Sequence, residues 1–538
     1  MADITAKDAL MEIFIKEGVE YIFGLPGSTE VPFMEALTTK PELKYILGLH
    51  EDVAVAMAEG YSRSTGKVGV VNLHTAPGFT AALPTIKNAK SGGVPLVITV
   101  GQQNANKILE EPPLTDDIFN IAKEFGKWAA ELTYPDSLAL VMRRAFKVAK
   151  TPPTGPVFIS LPQDVLKQTI TLDNYKPTRE EIYNQRPEKA LMEMVAEWLA
   201  VAKKPTITVG KGVAQYGALD EVVRLAELVG AAVFQGWQTD VCFPMSHDLF
   251  LGDTDRAISS SADVMLGVGT VVQRSPGAKA VQIDDNPWNL EKNAPIDAVL
   301  FGGVKGAVLE LIEMLESRMT SVAKDEAKAR IAEMAKLKAQ KKAKAVEDAK
   351  KEWDATPITF SRLAQEVAAC MPEDAVLVED CWSNSRELMP FIERNDYGTW
   401  LRTRGGAIGS GIGMAVGAQL GQPGRKVVAV VGDGSTIWGC QAFWTAAHHK
   451  LPITYVVCSN MSYRIVKRLT LRQVGKENID RAIGLDFKEP RLDFCKLGES
   501  MGLSAQRVEK PGDLKGALEK AIASNQPNVV EVYLDPSV

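Results

Sequence analysis

The sequence predicts an α/β protein made of three consecutive domains, each built around a parallel β-sheet. Short aliphatic segments, such as YIFGL at 21–25 and VVAVV at 427–431, alternate with helical patterns along the 538 residues. Strands of a parallel sheet are buried on both faces and therefore have this continuous apolar character. Their alternation with helices is typical of α/β folds. A chain of this length favours three or four domains at roughly 150 residues each.

The strand patterns fall into three blocks. We predict a first domain over 1–182, a middle domain over 188–320 and a third domain over 355–538, and the first and third are candidates for a shared fold. Between the last two blocks, 321–354 is rich in Ala, Lys and Glu and contains neither Gly nor Pro. This composition predicts a solvated helical linker. Its interleaved acidic residues argue against a nucleic-acid-binding arm.

Composition excludes several classes of protein. The chain carries 61 basic and 67 acidic side chains, and a net charge of −6 argues against binding dominated by nucleic-acid phosphates. The aliphatic runs are too short to span a bilayer, and residues 1–18 resemble an amphipathic helix rather than a signal peptide. Six cysteines form no Cys-x-x-Cys pair. We therefore expect a cytoplasmic protein that binds neither nucleic acid nor membrane.

Two neighbouring strand patterns of the third block end in polar residues. Residues 427–431 run into Gly432-Asp433-Gly434-Ser435, and 453–458 run into Ser459-Asn460-Met461-Ser462-Tyr463. Open parallel sheets bind ligands at the carboxyl ends of their strands. Gly-Asp-Gly alone is more often a tight turn. A second strand that ends in Asn, 27 positions after the Asp, favours a binding site instead.

These residue types suit a divalent cation and a phosphate. Mg²⁺ prefers oxygen ligands, which the Asp433 carboxylate, the Asn460 amide and the Ser462 carbonyl can supply. Gly432 and Gly434 allow the backbone to approach a phosphate closely. The helix that follows directs its N-terminus towards the anion.

The spacing resembles the thiamine-diphosphate signature, in which Gly-Asp-Gly is followed by Asn about 27 residues later. That family usually has Asn-Asn where this chain has Ser459-Asn460. The resemblance implies thiamine diphosphate and Mg²⁺ as cofactors. It places Gly432, Gly434, Ser435 and Tyr463 at the cofactor. It also names the blocks as a pyrimidine-binding, a middle and a diphosphate-binding domain.

A second motif supports this resemblance. Residues 48–63, GLHEDVAVAMAEGYSR, are similar to the H-E-x-x-A-x-x-x-A-x-G-Y segment of the acetolactate synthase and benzoylformate decarboxylase superfamily. The resemblance gives Glu51 a catalytic role at the aminopyrimidine, where its carboxyl favours the imino tautomer that generates the ylid. An acid at a helix start is otherwise a stabilising charge. In relatives the two cofactor-binding domains come from different subunits, which implies a homodimer or homotetramer.

Two further segments of the first block resemble benzoylformate decarboxylase. FGLPGS at 23–28 implies that Ser28 holds a substrate carboxylate, and NLHTAPG at 72–78 implies that His74 relays protons. The alternative for His74 is a structural histidine at a strand end. Benzoylformate decarboxylase also uses a histidine of its middle domain, and we find none near the corresponding segment, 267–277.

Other cofactor contacts follow from the resemblance. Ile408 occupies the place of the apolar residue that bends the cofactor into a V shape, with core packing as the alternative. Ser383 is a candidate diphosphate contact. The glycine-rich segment 402–417 imitates a dinucleotide fingerprint, but we expect no strand directly before it. The middle block resembles the domain that holds FAD or ADP in relatives, and we expect a structural role for it.

Basic residues near the predicted site suggest a hypothesis about the substrate. Arg402, Arg464, Lys467 and Arg468 would suit a substrate, or an acceptor, with an extra anionic group. The alternative is a set of exposed or interface charges.

The resemblance covers nearly the whole chain. It implies a carboxy-lyase that decarboxylates a 2-oxo acid without oxidation, as benzoylformate decarboxylase does, through ylid and enamine intermediates. Carboligation of the acetolactate-synthase kind and lysis of a 2-hydroxyacyl-CoA or oxalyl-CoA are the alternatives. A catalytically silent homologue is disfavoured because Glu51, Asp433 and Asn460 are all present.

Overall fold

Three six-stranded parallel sheets follow one another along the chain. They are seen in a computed structural model, which describes residues 3–172, 174–179, 185–236, 239–253 and 255–537. The sheets confirm the predicted α/β class. The predicted end of the first domain, residue 182, and the terminal residues Met1 and Val538 lie outside the described residues.

The first sheet has the strand order β3-β2-β4-β5-β7-β6, and β1 pairs with β8 in a separate antiparallel ribbon. The strands of the first domain are β1 Asp3–Thr5, β2 Tyr21–Leu25, β3 Lys44–Leu47, β4 Gly69–Leu73, β5 Leu96–Gln102, β6 Trp128–Glu131, β7 Val157–Pro162 and β8 Thr169–Thr171. Its helices are α1 Ala6–Lys16, α2 Val31–Leu37, α3 Glu51–Thr65, α4 Ala76–Ala81, α5 Leu83–Gly92, α6 Ile118–Phe125, α7 Leu138–Lys150 and α8 Gln163–Leu166.

The middle sheet has the order β11-β10-β9-β12-β13-β14, a doubly wound arrangement. Its strands are β9 Pro205–Val209, β10 Ala232–Gln235, β11 Phe250–Asp253, β12 Val264–Val268, β13 Lys279–Asp284 and β14 Ala298–Phe301. Its helices are α9 Lys189–Ala200, α10 Lys211–Gln215, α11 Leu219–Val229, α12 Arg256–Ser260 and α13 Val304–Arg318. The charged stretch that follows forms one helix, α14 Ser321–Lys351, whose first turn is capped by the Thr320 side chain.

The third sheet has the order β16-β15-β17-β18-β20-β19, which is the strand order of the first sheet. Its strands are β15 Val376–Asp380, β16 Trp400–Arg402, β17 Val427–Gly432, β18 Ile453–Ser459, β19 Ser504–Val508 and β20 Asn528–Tyr533. Its helices are α15 Phe360–Cys370, α16 Ser385–Leu388, α17 Ser410–Gly421, α18 Asp433–Gly439, α19 Gln441–His448, α20 Arg464–Val474, α21 Phe494–Ser500 and α22 Pro511–Ala523.

Helices α3 and α17 pack side by side and join the first domain to the third. Glycines allow this close approach: a Cβ on Gly60 would lie 2.1 Å from the Met414 carbonyl oxygen, and one on Gly417 would lie 1.8 Å from that of Met57. The two helices run parallel, so their N-termini lie at the same end of the pair. Side chains of both domains form one continuous apolar core around this contact.

Within the described ranges, no helix is both long and apolar enough to cross a membrane.

Candidate active site

A pocket opens at the carboxyl ends of β15, β17 and β18 in the third domain, and all the predicted cofactor and metal residues of that domain line it. They are Ser383, Ile408, Gly432, Asp433, Gly434, Ser435, Asn460, Ser462 and Tyr463. The sheet explains this meeting, because β17 and β18 are parallel neighbours that pair Gly432 with Cys458. The cofactor and metal roles of these residues stay predictions.

Asp433 is the buried acid of this pocket. Its Oδ2 accepts hydrogen bonds from the backbone N–H groups of Asn460 at 2.7 Å and Met461 at 2.6 Å, and its Oδ1 accepts one from Gly434 at 2.8 Å. Burial raises the pKa of the Asp433 carboxyl to about 6, against the opposing effect of these donors. A bound divalent cation would favour the ionised form.

The other donor atoms beside Asp433 are also oxygens. Asn460 is buried, and its Oδ1 accepts a hydrogen bond from Ser462 Oγ at 2.9 Å. The chain turns between these two residues at Met461, which has a φ of 55°. A carboxylate, an amide oxygen and a backbone carbonyl form a donor set that fits Mg²⁺. Asp433, Asn460 and the Ser462 carbonyl are therefore the residues that would hold the ion.

Asp380, at the end of β15, organises the pocket and was missed by the sequence analysis. Its Oδ2 accepts the N–H groups of Gly409 at 2.9 Å and Gly411 at 3.1 Å, and its Oδ1 accepts Ser435 Oγ at 3.0 Å. Burial raises the pKa of this carboxyl. Asp380 thus connects the turn that presents Ile408 to the start of α18. Its place at the end of a buried strand was the available signal.

Tyr463 lies against the glycine-rich turn. A Cβ on Gly434 would lie 2.7 Å from the Tyr463 ring, so only glycine leaves room for it. Trp438 Nε1 lies 3.5 Å from the Tyr463 hydroxyl. Helix α18 begins at Asp433 itself, with Gly432 as its N-cap, so Asp433 and Gly434 lie in its first turn rather than in a loop before it.

A second polar cluster lies at the carboxyl ends of the first sheet. His74 follows β4, and its Nδ1 lies 2.8 Å from Glu30 Oε2 and 3.1 Å from Thr29 Oγ1. Glu30 is 1% exposed, and it also accepts hydrogen bonds from Thr29 Oγ1 and the Gly27 N–H. A histidine held by a buried carboxylate has a defined orientation. No local sequence pattern marks Glu30 as part of a site.

Glycines make room for this cluster. A Cβ on Gly101 would lie 1.6 Å from Glu30 Oε1, and one on Gly27 would lie 2.3 Å from His74 Nδ1. These two positions were the sequence signal for a tight polar contact, but only the fold shows what approaches them.

Glu51 lies close to the same cluster. It is the first residue of α3, and a Cβ on Gly78 would lie 2.8 Å from Glu51 Oε1 and 3.0 Å from His74 Cβ. Glu51 and His74 therefore flank one glycine. Ser28 begins a short 3₁₀ helix, Ser28–Glu30, and is exposed. The structure thus brings Glu51, Ser28 and His74 to one edge of the first sheet.

The two clusters do not form one pocket in a single chain. None of Glu51, Ser28 and His74 lines the pocket around Asp433. Apolar side chains are exposed beside each cluster, notably Val31 and Leu49 in the first domain. In the third domain, Ile437 and Trp438 on α18 and Val466 and Leu469 on α20 are among the exposed ones.

Three of the basic residues are not placed to hold a substrate anion. Arg402 is 2% exposed, and its Nε lies 3.1 Å from Glu379 Oε2. Lys467 is neutralised by Asp486 at 2.8 Å. Neither these two nor Arg468 lines the pocket, whereas Arg464 does. An internal ion pair already engages the Arg402 guanidinium, which disfavours the hypothesis that Arg402 holds a substrate anion.

The glycine-rich segment also differs from expectation. The short strand β16 runs directly into this segment and ends at its first residue, Arg402. The strand is buried and lies at the edge of its sheet, where three residues leave a weak sequence pattern.

Comparison with known proteins identifies the family. The model of the thiamine pyrophosphate enzyme N-terminal TPP binding domain matches residues 4–120, that of the central domain matches 192–312, and that of the C-terminal TPP binding domain matches 383–532. The chain belongs to the thiamine pyrophosphate enzymes, which confirms the resemblance seen in the sequence.

Individual relatives show which members of this family the chain is similar to. The chain is similar to the benzoylformate decarboxylase of Pseudomonas aeruginosa, with 29% identity over 98% of both chains. It is also similar to the probable acetolactate synthase large subunit of Methanocaldococcus jannaschii, with 26% identity over 98% of this chain and 92% of that one. A solved structure, the Rhodococcus jostii RHA1 thiamine diphosphate-dependent 4-hydroxybenzoylformate decarboxylase, has a TM-score of 0.83, 26% identity and coverage of 99% and 100%. The protein is a thiamine-diphosphate enzyme related to these decarboxylases and synthases.

Proposed function

We propose that the protein is a carboxy-lyase that decarboxylates a 2-oxo acid without oxidation, as its benzoylformate decarboxylase relatives do by name. One observation carries the proposal: His74 is held by the buried carboxylate of Glu30, next to Glu51 and Ser28, at the edge of the first sheet. An oriented histidine beside the cofactor acid suits the protonation that ends a decarboxylation.

Thiamine diphosphate, when bound, would supply a carbon that accepts the electrons left as carbon dioxide departs. In this proposal Glu51 holds a proton at the cofactor's pyrimidine. Glu30 and Thr29 engage His74 Nδ1, which directs Nε2 towards the product as the atom that carries the proton. The exposed Ser28 hydroxyl binds the substrate carboxylate.

The proposed metal and diphosphate site completes this machinery. Asp433, Asn460 and the Ser462 carbonyl hold Mg²⁺, while Ser383, Ser435 and the backbone of Gly432 and Gly434 approach the phosphates. Tyr463 and Ile408 line the same pocket, and Ile408 supports the bent shape of the cofactor.

We propose that a homodimer, or a homotetramer built from such dimers, completes the site. The pocket around Asp433 is open and is bordered by exposed apolar side chains, and so is the cluster around Glu51. A second copy that covers both would bury these side chains and bring each acid to a metal site.

Turnover of a panel of 2-oxo acids tests the proposal. Benzoylformate, pyruvate and 2-oxobutyrate are supplied with thiamine diphosphate and Mg²⁺, and both carbon dioxide and the organic product are measured. The expected products are carbon dioxide and an aldehyde. Acetolactate or another acyloin would replace the proposal with carboligation, and turnover of CoA esters alone would replace it with lysis. A loaded enzyme that turns over none of these is a silent homologue.

A matched pair of variants then tests Glu51. Glu51→Gln keeps the shape of the side chain but cannot hold the proton in the same way. We expect it to bind thiamine diphosphate and to lose most exchange of the cofactor's C2 proton, a drop of at least about a hundredfold. Glu35→Gln, at a glutamate whose side chain is 66% exposed, is the control. Near-normal exchange in Glu51→Gln would remove the assigned role.

A further inference from the structure

Arg464 is the cationic side chain of the metal and diphosphate pocket. In the part of the chain that the structure describes, only two charged residues line this pocket, Asp433 and Arg464. Arg464 is the first residue of α20, directly after Tyr463 and two positions after Ser462. Arg464 therefore places a guanidinium beside the proposed diphosphate site.

The guanidinium is oriented by neutral oxygen atoms. Its Nε donates to the Ser537 carbonyl at 2.7 Å, and its Nη1 lies 3.5 Å from Asn384 Oδ1. Asn384 Nδ2 is itself bonded to Glu387 at 2.8 Å. A guanidinium has five N–H donors, so these contacts position it and leave further donors for an anion. Arg402 and Lys467, in contrast, form direct ion pairs with internal carboxylates, whereas Glu387 interacts with Arg464 only through its charge.

The position of Arg464 favours the diphosphate as that anion. Asn384, which holds Nη1, belongs to the same turn as Ser383 and Cys381, and the three line one side of the pocket. The metal donors Asp433, Asn460 and Ser462 line the same pocket. The guanidinium thus lies between the turn predicted to contact phosphate and the loop predicted to hold Mg²⁺.

The charges at the proposed site also favour a contact between Arg464 and the diphosphate. A diphosphate carries at least about two negative charges near neutral pH. Mg²⁺ beside the Asp433 carboxylate leaves one net positive charge, so a further cation close to the diphosphate would offset its remaining negative charge in a partly buried pocket. Arginine suits this task because its planar fork matches phosphate oxygens and stays charged at every working pH.

We infer that Arg464 binds the diphosphate of thiamine diphosphate and does not recognise an anionic group of the substrate. The inference rests on the cofactor that the family binds, and it is independent of which reaction the loaded enzyme performs.

Cofactor binding by three variants tests the inference. The dissociation constant of thiamine diphosphate is measured at saturating Mg²⁺, without any 2-oxo acid, from quenching of tryptophan fluorescence. Trp382 lines the pocket and Trp438 lies beside Tyr463, so both report on it. Arg464→Gln should weaken binding by about ten- to a hundredfold, the range for loss of a charge-assisted hydrogen bond. Arg464→Lys should restore part of that loss. Arg472→Gln, an exposed arginine on the same helix, should change nothing.

The results that would overturn the inference can be told apart from one another. Wild-type affinity in Arg464→Gln would overturn the inference. If that affinity is unchanged while the KM of an active 2-oxo acid rises, Arg464 serves the substrate instead. If Arg464→Gln has a general structural defect, its melting temperature without cofactor will be lower than that of the wild type. Arg464→Lys then decides the question. If this variant has wild-type stability but binds the cofactor as weakly as Arg464→Gln, the phosphate contact is also refuted. Failure to find an active 2-oxo acid contradicts only the proposed reaction.

Discussion

Gly417→Ala tests whether the contact between α3 and α17 determines the stability of the joined domains. The new Cβ would lie 1.8 Å from the Met57 carbonyl oxygen and 2.6 Å from the Tyr61 N–H nitrogen. Both are backbone atoms of α3, so no side-chain rotation can remove the clash. The helices must move apart, and the apolar core between them must repack.

The magnitude follows from two opposing effects. Overpacking in a core costs roughly 1–3 kcal/mol, and a clash with backbone belongs at the upper end or above. Alanine is a better helix former than glycine by about 1 kcal/mol, which offsets part of this. We expect a net loss of about 2 kcal/mol, which lowers the melting temperature by roughly 2–5 °C.

The assay is thermal unfolding followed by circular dichroism, with Gly516→Ala as the control. Gly516 lies inside α22 and is exposed, and a Cβ added to it would have no atom within 4 Å. That variant should be neutral or slightly more stable because only helix propensity changes. Equal melting temperatures for Gly417→Ala and the wild type would refute the packing argument.

Three further predictions concern charged groups. Glu30→Gln should reduce turnover roughly ten- to a hundredfold because it releases His74. In a His74→Asn background the same change should reduce turnover little further, since the two residues act as a unit. Steady-state kinetics in which the two losses multiply would contradict this. Asp433→Ala should weaken Mg²⁺-dependent retention of thiamine diphosphate on a desalting column by at least about a hundredfold, and wild-type retention would remove Asp433 from the proposed ligands. Burial raises the pKa of Asp52 to about 6 from an ordinary 3.8, so the folded state binds the extra proton and stability falls as pH rises from about 4 to 6, by about 3 kcal/mol. Asp52→Asn keeps an acceptor for the Thr85 N–H. It should remove the share of the slope that Asp52 contributes and leave the share of Asp433, whose pKa burial raises to a similar value. A slope unchanged from that of the wild type in melting curves would refute the assignment to Asp52.

The strands that could be predicted from the sequence are those buried on both faces. VVAVV in β17 and ITYVVC in β18 are continuous apolar runs because helices cover the sheet on either side. The edge strands β3, β6 and β19 are partly exposed and mix polar with apolar residues, so no run marks them. The meeting of Asp433 and Asn460 in one pocket was predictable for a related reason, since both residues directly follow strong strand patterns.

What the sequence could not reveal is which polar side chains meet across the fold. Glu30 follows Gly-Ser-Thr and has the local pattern of a surface acid, yet it is buried because His74 and the gap at Gly101 arrive from two other strands. Asp380 similarly depends on Gly409 and Gly411, which lie about thirty residues later. A cytoplasmic location stays a prediction.

The glycine-rich segment shows why a pattern alone was ambiguous. Its glycines imitate a nucleotide fingerprint, but several of them have a packing partner in this fold. Gly411 lies against Asp380, Gly413 against Ala56, and Gly417 against Met57. In a nucleotide-binding fold this glycine spacing makes room for a pyrophosphate. In this fold it makes room for a neighbouring helix and a buried carboxylate.

This packing has a consequence for the proposed site. Because α3 and α17 occupy the contact between the first and third domains of one chain, that contact is closed to a cofactor. The cluster around Glu51 and the pocket around Asp433 each lie at the open carboxyl edge of a sheet with the same strand order. A two-fold axis could place the first-domain sheet edge of one copy over the third-domain sheet edge of another copy. This arrangement would create two identical sites at once. Oligomerisation would then be required for catalysis, and a monomer would retain the metal pocket without its acid.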